Sequence, residues 1–296
     1  MSWIFLALAS NFSWAIENVY TKVVIGSKVK NPYVFLILIM VLSVVVLPFV
    51  PAHYIAVPHI SLLFWLFCAS AIYTFGTFPY LKAMEVEEVT RINILWNTLP
   101  IFNLIISWFL IGDRISGREF VAMIFLISGA VVASLKSEKT TFKLSKAFWL
   151  MMVACVLYSF YAVMIRFLSH SLSFYTIFFW TTLFNALLAL VCLVYRQVRK
   201  ELISTIKNNS LKFFLSFLIV VIISTLGTFL NQWALSLKSG ALVYSFEGFQ
   251  VLFVFGMALL CSKIFPGFIS ESLDKKNLII KLIAFSIIII GLILLM

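Results

Sequence analysis

Apolar runs of roughly the length of a bilayer-crossing helix follow one another along the chain, separated by short polar connections. They fall near residues 2–20, 33–50, 61–82, 90–111, 117–135, 146–168, 173–195, 213–236, 241–262 and 280–296. A spanning helix needs about 20 predominantly apolar residues, whereas a membrane barrel strand shows a weaker alternation over about 10. The pattern therefore predicts ten membrane helices. Pro32, Pro48, Pro51, Pro58, Gly112 and Gly117 stand at or near their ends, as helix punctuation requires. Only two connections are longer. Residues 196–212 are basic and polar, and residues 263–279 could lie partly as an interfacial helix.

The first span breaks the apolar pattern. Ser10, Ser13, Glu17 and Thr21 make one stripe, and Asn11, Trp14, Asn18 and Lys22 the stripe beside it. On a helix these form a single polar face, which lipid would not tolerate. A protein interior or a wet cavity is its expected surrounding, with Glu17 as the acid within it.

The pattern also repeats. Tyr73-Thr-Phe-Gly76-Thr77-Phe78 aligns with Ser224-Thr-Leu-Gly227-Thr228-Phe229, and Ala83 then meets Ala234. Trp14 to Lys22 aligns less cleanly with Tyr158 to Arg166. Two halves of five spans each must insert in opposite senses, because five is odd. The expected fold is an all-α integral membrane protein of ten transmembrane helices in two inverted five-helix repeats, residues 1–138 and 139–296. Secondary transporters are built this way, with a site near the midplane between the repeats.

Composition sharpens this. Of the 296 residues, 63% are hydrophobic and 11% charged, with a mean hydropathy of +1.11. A soluble domain is nearer ~25% charged. The net charge of +11 sits in loops between spans, where it serves topology and lipid headgroups, so no nucleic-acid partner is expected. Eighteen Lys and Arg fall on one side of the ten-span arrangement and four on the other. The eighteen-charge side reads as cytoplasmic, which places both termini outside a multi-pass protein of the cell membrane. The N-terminus lacks a charged leader region and reads as a retained span. Cys68, Cys155, Cys192 and Cys261 lack paired spacing, so neither a disulfide framework nor a metal or cofactor site is expected.

Candidate chemistry lies on the polar stripes. In the fourth span Thr90, Asn93, Asn97 and Pro100 share a face, with Trp96 beside them; Pro100 removes a donor and can bend the helix. The ninth span carries Tyr244, Glu247, Gly248 and Gln250. The sixth offers Tyr158, Ser159 and Tyr161, the seventh Trp180, Thr181 and Asn185, and the eighth Thr225, Thr228, Asn231 and Gln232. A buried carboxylate must be paired or hydrogen-bonded, or give up its charge. Glu17 and Glu247 are therefore candidates to bind a proton or a cationic group. The repeat sets Tyr161 opposite Glu17, and Trp96 opposite Glu247. The plainer reading of Glu17 is snorkelling to the interface or pairing with a nearby base, and of Glu247 a helix-start acid bonded to a neighbouring span. Lys82, Arg166 and Lys238 read as interfacial anchors, and Glu85 to Glu88 as a solvated turn. With 31 Phe in the chain, only aromatics on polar stripes merit functional attention. An aromatic cage beside a carboxylate suits an ammonium group.

The stretch from Ala83 to Ala133 resembles the drug/metabolite transporter superfamily, in its ten-span branch of paired EamA-type repeats. The carrying features are Ala83 after Lys82, the acidic turn Glu85–Thr90, the helix with Pro100, Trp108-Phe-Leu-Ile-Gly112-Asp113-Arg114-Ile-Ser116 and the Gly129 span. Gly112-Asp113-Arg114 stands where the family usually has Gly-Glu-Arg. Trp14 to Lys22 is similar to the family's first span. The second repeat departs, with Cys261-Ser-Lys-Ile-Phe-Pro266 at the equivalent step and Val251 where Pro100 has its partner. Family members are commonly drawn with both termini in the cytoplasm, the reverse of the charge count.

The resemblance implies a central cavity lined by spans 1, 3, 4, 6, 8 and 9. The expected substrate-binding residues are Trp14, Glu17, Asn18, Asn93, Trp96, Asn97, Tyr158, Tyr161, Asn231, Tyr244, Glu247 and Gln250, with Glu17 and Glu247 as proton-coupling candidates. The expected function is secondary active transport of a small metabolite, such as an amino acid or amine, as an exporter working by alternating access. The alternatives are a lipophilic cation or lipid-linked substrate, or a structural, partner-binding membrane protein. No His-Glu-x-x-His, Gly-x-Ser-x-Gly or phosphate-binding loop points to an enzyme. Membrane lipid and a small-molecule substrate are the expected partners, for a chain read as a monomer with a dimer as the alternative.

Overall fold

The computed structural model describes residues 2–21, 28–29, 31–86, 92, 95–134, 146–264 and 275–295. Within them all regular structure is helical. The elements are α1 (Trp3–Tyr20), α2 (Pro32–Leu42, continued by a 3₁₀ stretch Ser43–Phe49), α3 (Ile60–Val86), α4 (Leu99–Ile111), α5 (Gly117–Ser134) and α6 (Lys146–Leu168). There follow α7 (Phe174–Ala189, then 3₁₀ at Leu190–Val194), α8 (Arg196–Asn208), α9 (Leu211–Leu237), α10 (Gly240–Ser245), α11 (Glu247–Ile264) and α12 (Lys275–Leu295). Among the described residues five segments are long and apolar enough to cross a membrane: Pro32–Phe49, Ile60–Val86, Lys146–Leu168, Phe174–Val194 and Leu211–Leu237. The chain is an all-α, multi-pass membrane protein.

Its outer surface explains the composition. Phe5, Phe12, Phe64, Leu215, Ile219 and Ile222 are all exposed, an apolar exterior that water would not tolerate and acyl chains would. Polar side chains are turned inward instead: Ser70, Thr74, Asn103, Ser159, Thr181 and Gln232 are buried. This inversion of the soluble pattern follows from the solvent, since lipid gives apolar positions no reason to hide.

The helices pack in a regular scheme. α1 runs along α9 and α11, and α3 along α6 and α7; α4 packs on α6 and α10, and α5 lies against α12. Glycines allow the closest approaches. A Cβ on Gly129 would stand 2.5 Å from Ile288, and one on Gly291 2.9 Å from Leu126, so α5 and α12 each offer the other a notch. The largest core cluster joins Leu6, Leu66, Leu99, Met151, Ile165 and Phe246, drawn from α1, α3, α4, α6 and the turn before α11.

Two features differ from the sequence expectation. The ninth span is not one helix: α10 ends at Ser245, Phe246 is a turn, and α11 starts at Glu247. The connection 196–212, read as basic and polar, contains the thirteen-residue helix α8. Of the proposed interfacial stretch 263–279, residues 265–274 lie outside the described residues, and α12 has begun by Lys275.

Candidate functional site

α1 supplies one wall. Trp14 lies against Gly227 of α9 so closely that a Cβ there would be 2.6 Å from the indole Nε1. One turn further along α1, the Glu17 carboxylate meets the Ser224 side chain, one turn back on α9. The two helices are therefore antiparallel, with Glu17 facing protein rather than lipid. Asn11 and Ser13 are buried but donate to Ala7 and Ala9 carbonyls of their own helix, both at 2.9 Å. Ser10 Oγ, Asn11 Oδ1 and, at the end of the helix, Thr21 Oγ1 are buried without a hydrogen-bond partner among the described residues, and Glu17 is the one acid on that face. Asn18 is exposed at the end of α1, well round the helix from Phe5 and Phe12.

Aromatic rings fill the space beyond Glu17. Tyr73 of α3 packs against Tyr158 and Tyr161 of α6, with ring centroids 5.3 and 4.8 Å apart. Trp96 packs between Tyr158 at 5.0 Å and Tyr80 at 5.1 Å. The Tyr158 hydroxyl shares a 2.8 Å hydrogen bond with Thr77 Oγ1. Trp96 Nε1–H donates to Glu247 Oε2 at 3.2 Å. Tyr80 is within electrostatic range of both Glu17 and Glu247, and Tyr244 of Glu247, Tyr73, Tyr158 and Tyr161. Tyr73, Tyr80, Trp96, Tyr158 and Tyr161 thus form one set of contacting rings with Glu247 hydrogen-bonded to it, and Glu17 and Tyr244 lie within electrostatic range of this acid–aromatic cluster.

Broken backbone lies on both sides of the Trp96–Glu247 contact. The helical turn containing Leu95 and Trp96 gives way to a turn at Asn97 and Thr98, and α4 begins at Leu99 with Pro100 in its first turn. Proline is tolerated there because a helix's first amides have no internal partner. Thr98 Oγ1 donates back to the Leu95 carbonyl at 2.7 Å. On the other side, the turn at Phe246 starts α11 at Glu247. Gly248 follows, where a Cβ would stand 2.6 Å from Ala130. Interrupted helices inside a bundle are tolerated where the freed backbone is covered by protein or lines a wet space.

A second layer of polar bonds fixes this cluster. Gln232 Nε2 donates to the Tyr161 hydroxyl at 2.7 Å and to Thr181 Oγ1 at 3.1 Å. Asn103 Nδ2 donates to the Ser159 carbonyl at 3.2 Å, and Ser159 Oγ to the Leu99 carbonyl at 3.3 Å. Thr74 Oγ1 reaches Asn185 Oδ1 at 3.3 Å. These bonds tie α3, α4, α6, α7 and α9 together around the rings. Arg166 is a scaffold residue too: its Nη1 donates to the Ser236 carbonyl at 2.6 Å, near the end of α9.

The sequence candidates divide accordingly. Trp14, Glu17, Trp96, Tyr158, Tyr161, Tyr244 and Glu247 line or adjoin the cluster. Asn97 and Asn231 are buried, Gln250 is half-buried, and Asn18 is exposed at the end of α1. Asn93 and Thr90 lie outside the described residues. Trp96, the repeat counterpart of Glu247 in the sequence, makes a direct hydrogen bond to it. Tyr161 instead meets Tyr73, and Tyr73 in turn lies within electrostatic range of Glu17. Sequence reasoning placed the third span among the cavity walls but named no binding residue on it, whereas Tyr73, Thr77 and Tyr80 of α3 provide the middle of the cluster. Their i, i+4, i+7 spacing is the available signal, hidden because all three are ordinary residues in an aromatic-rich chain.

Two acids, five aromatic side chains and broken helices inside a lipid-facing bundle define a multi-pass membrane protein with a polar interior site. Residues 1–135 match the model of the EamA-like transporter family. That family is one of transporters, not enzymes. The chain is similar in fold to a crystal structure described only as that of a protein, with a TM-score of 0.69 and 16% sequence identity over 99% of this chain and 96% of the other. No curated protein matches the sequence.

Proposed function

We propose that this protein is a secondary active transporter of a small metabolite, an amino acid, amine or related solute, that exports it by alternating access around the acid–aromatic cluster. The observation that carries the reading is the Trp96–Glu247 hydrogen bond at the junction of two interrupted helices. A carboxylate among rings attracts a cation, and a proton can compete for the same oxygens. Solute and proton then exchange at one site, which is what proton coupling requires.

The proposed architecture is ten spans in two inverted halves, residues 1–138 and 139–296. Several contacts support it. Gly76 receives Leu157 and Tyr158 just as Gly227 receives Trp14, and these pairs correspond under the sequence repeat. Trp96 and Glu247 are 151 positions apart, the offset at which Gly76 aligns with Gly227. Symmetry-related residues that touch would lie near the pseudo-twofold axis, where an alternating-access site belongs. The proposed location is the cell membrane, with the basic side cytoplasmic. A lipophilic cation is the second reading, favoured by the ring faces of Tyr73, Tyr80, Trp96 and Tyr158.

Purified protein in liposomes with an imposed pH gradient tests this, using pooled radiolabelled amino acids and amines as candidate solutes. Wild type is expected to exchange at least one solute, with apparent affinity falling as the pH drops because protons occupy the carboxylates. Glu17→Gln and Glu247→Gln should remove most transport or flatten the pH profile. Unchanged profiles in both variants would sink the carboxylate mechanism. Absence of any solute-dependent flux, with a lipophilic cation included, would favour a structural or partner-binding protein.

A further inference from the structure

The surface of α8 carries a pattern that transport around the central cluster does not use. α8 connects α7 and its 3₁₀ end at Val194 to α9 at Leu211. Both neighbours are candidate spans, so α8 is held at the membrane surface where they end. One side of α8 is anchored to the bundle: Val198 is buried, and Leu202 packs on a cluster containing Val34, Ile37 and Phe217.

At about 100° per residue, the remaining positions sort cleanly. Arg196, Arg199, Lys200 and Lys207 fall within an arc of about 100°, and Ile203 and Ile206 lie within or at the edge of that arc. All six side chains are exposed. Gln197, Glu201, Ser204 and Asn208 occupy the other free side, and half-buried Thr205 falls beside Val198 and Leu202 on the anchored side. Glu201 is bonded by Gln197 Nε2 at 3.1 Å rather than by a base. Among the described residues no ion pair involves the four bases of α8. A soluble surface helix would distribute its bases around carboxylates. Here they surround isoleucines, and the ends are flanked by Val194, Tyr195 and Leu211, exposed at 76%, 69% and 74%.

We propose that α8 lies in the headgroup layer of the membrane and binds anionic phospholipid. Ile203 and Ile206 enter the acyl boundary, Arg196, Arg199, Lys200 and Lys207 hold headgroup phosphates, and the Glu201 side faces water. The three-way division of the helix matches three surroundings: bundle, bilayer and aqueous phase. Basic side chains with long apolar stems suit this position, because the stem can cover acyl carbon while the charge remains at the phosphate. Each base near an anionic surface adds attraction that salt screens. The inference depends on the membrane fold alone and is independent of which solute the central site takes.

Native mass spectrometry of the full-length protein, released from micelles containing equimolar phosphatidylglycerol and phosphatidylcholine, reads the preference directly. Wild type is expected to retain phosphatidylglycerol over phosphatidylcholine about tenfold at low salt, with the ratio falling as salt rises. A variant combining Arg196→Gln, Arg199→Gln, Lys200→Gln and Lys207→Gln should fall to near parity while eluting as a monodisperse protein. A control with Lys263, Lys275, Lys276 and Lys281 changed to Gln should keep most of the preference. Wild-type preference in the α8 variant overturns the proposal, and so does equal loss in the control, which would assign the effect to total charge. A salt-insensitive ratio in wild type overturns it without reference to any variant. Binding of soluble polyglutamate to protein in phosphatidylcholine nanodiscs, lost in the α8 variant without any lipid preference in wild type, would assign the face to an acidic protein partner instead.

Discussion

Trp14 and Gly227 depend on each other at atomic distances. The indole occupies the volume a side chain at 227 would need, since a Cβ there would stand 2.6 Å from Nε1 and 2.7 Å from Cδ1. Gly227→Ala must displace Trp14, and Glu17 lies one turn further along the same helix face. The expected result is a loss of about 1–3 kcal/mol in stability from overpacking, together with reduced transport. Gly256→Ala is the matched control, because its Cβ would meet nothing within 4 Å. That change should be neutral or stabilise by about 0.4–1 kcal/mol through the unfolded chain. Thermal unfolding of the purified proteins in one detergent compares them, and equal stability of the two variants would refute the close-packing argument. Gly112 is different again. It has φ +66° and nothing within 4 Å of a built Cβ, so glycine is required there for conformation and not for space.

Helix ends show what was legible at the level of elements. The five candidate spans could be read because lipid demands long apolar runs, and Pro32, Gly112 and Gly117 mark ends of α2, α4 and α5. Ser116 and Glu119 form a reciprocal capping box at the start of α5: Ser116 N–H donates to Glu119 Oε2 at 2.8 Å, and Glu119 N–H to Ser116 Oγ at 3.3 Å. The same carboxylate pairs with Lys238 Nζ at 2.7 Å, joining α5 to the end of α9. Glu119→Gln preserves the box and removes the ion pair. It should therefore cost what Lys238→Met costs, about 0.2–1 kcal/mol because both partners are partly exposed, and the double variant should cost no more. Additive losses in a double-mutant cycle would show that the pair contributes nothing of its own. The break at Phe246 was not legible, because Ser245-Phe246-Glu247 contains no proline; Phe246 N–H bonds back to the Val243 carbonyl at 3.3 Å, and the turn packs on Trp3, Trp96 and Ala130, contacts that only the folded bundle supplies. α8 was missed for another reason. Its bases sit among its isoleucines, so overall polarity masks a periodic face, and the interfacial helix was sought in residues 263–279 instead.

For the molecule as a whole, the two proposed halves differ in chemistry. In the sequence repeat Glu17 has Tyr161 as its counterpart and Glu247 has Trp96. The sequence exposed the acids because charge in an apolar run is costly, and could not expose Tyr73 and Tyr80 because tyrosine there is unremarkable until neighbouring helices surround it. The same asymmetry appears in the bases, eighteen on one face of the proposed topology and four on the other. Positively charged loops resist translocation, so the eighteen-charge face is expected in the cytoplasm. That face also carries α8, which would then meet the cytoplasmic leaflet, the leaflet whose anionic lipids attract basic segments. Orientation and lipid binding are therefore linked consequences of one charge distribution. Cysteine labelling in intact cells with a membrane-impermeant maleimide separates the two orientations. Val57, exposed at 81% in the loop after α2, should react from outside as Val57→Cys, and Lys139→Cys should react only after permeabilisation. Reaction of residue 139 from outside would reverse the topology, and with it the leaflet that α8 reads, while leaving the contacts of the central cluster unchanged.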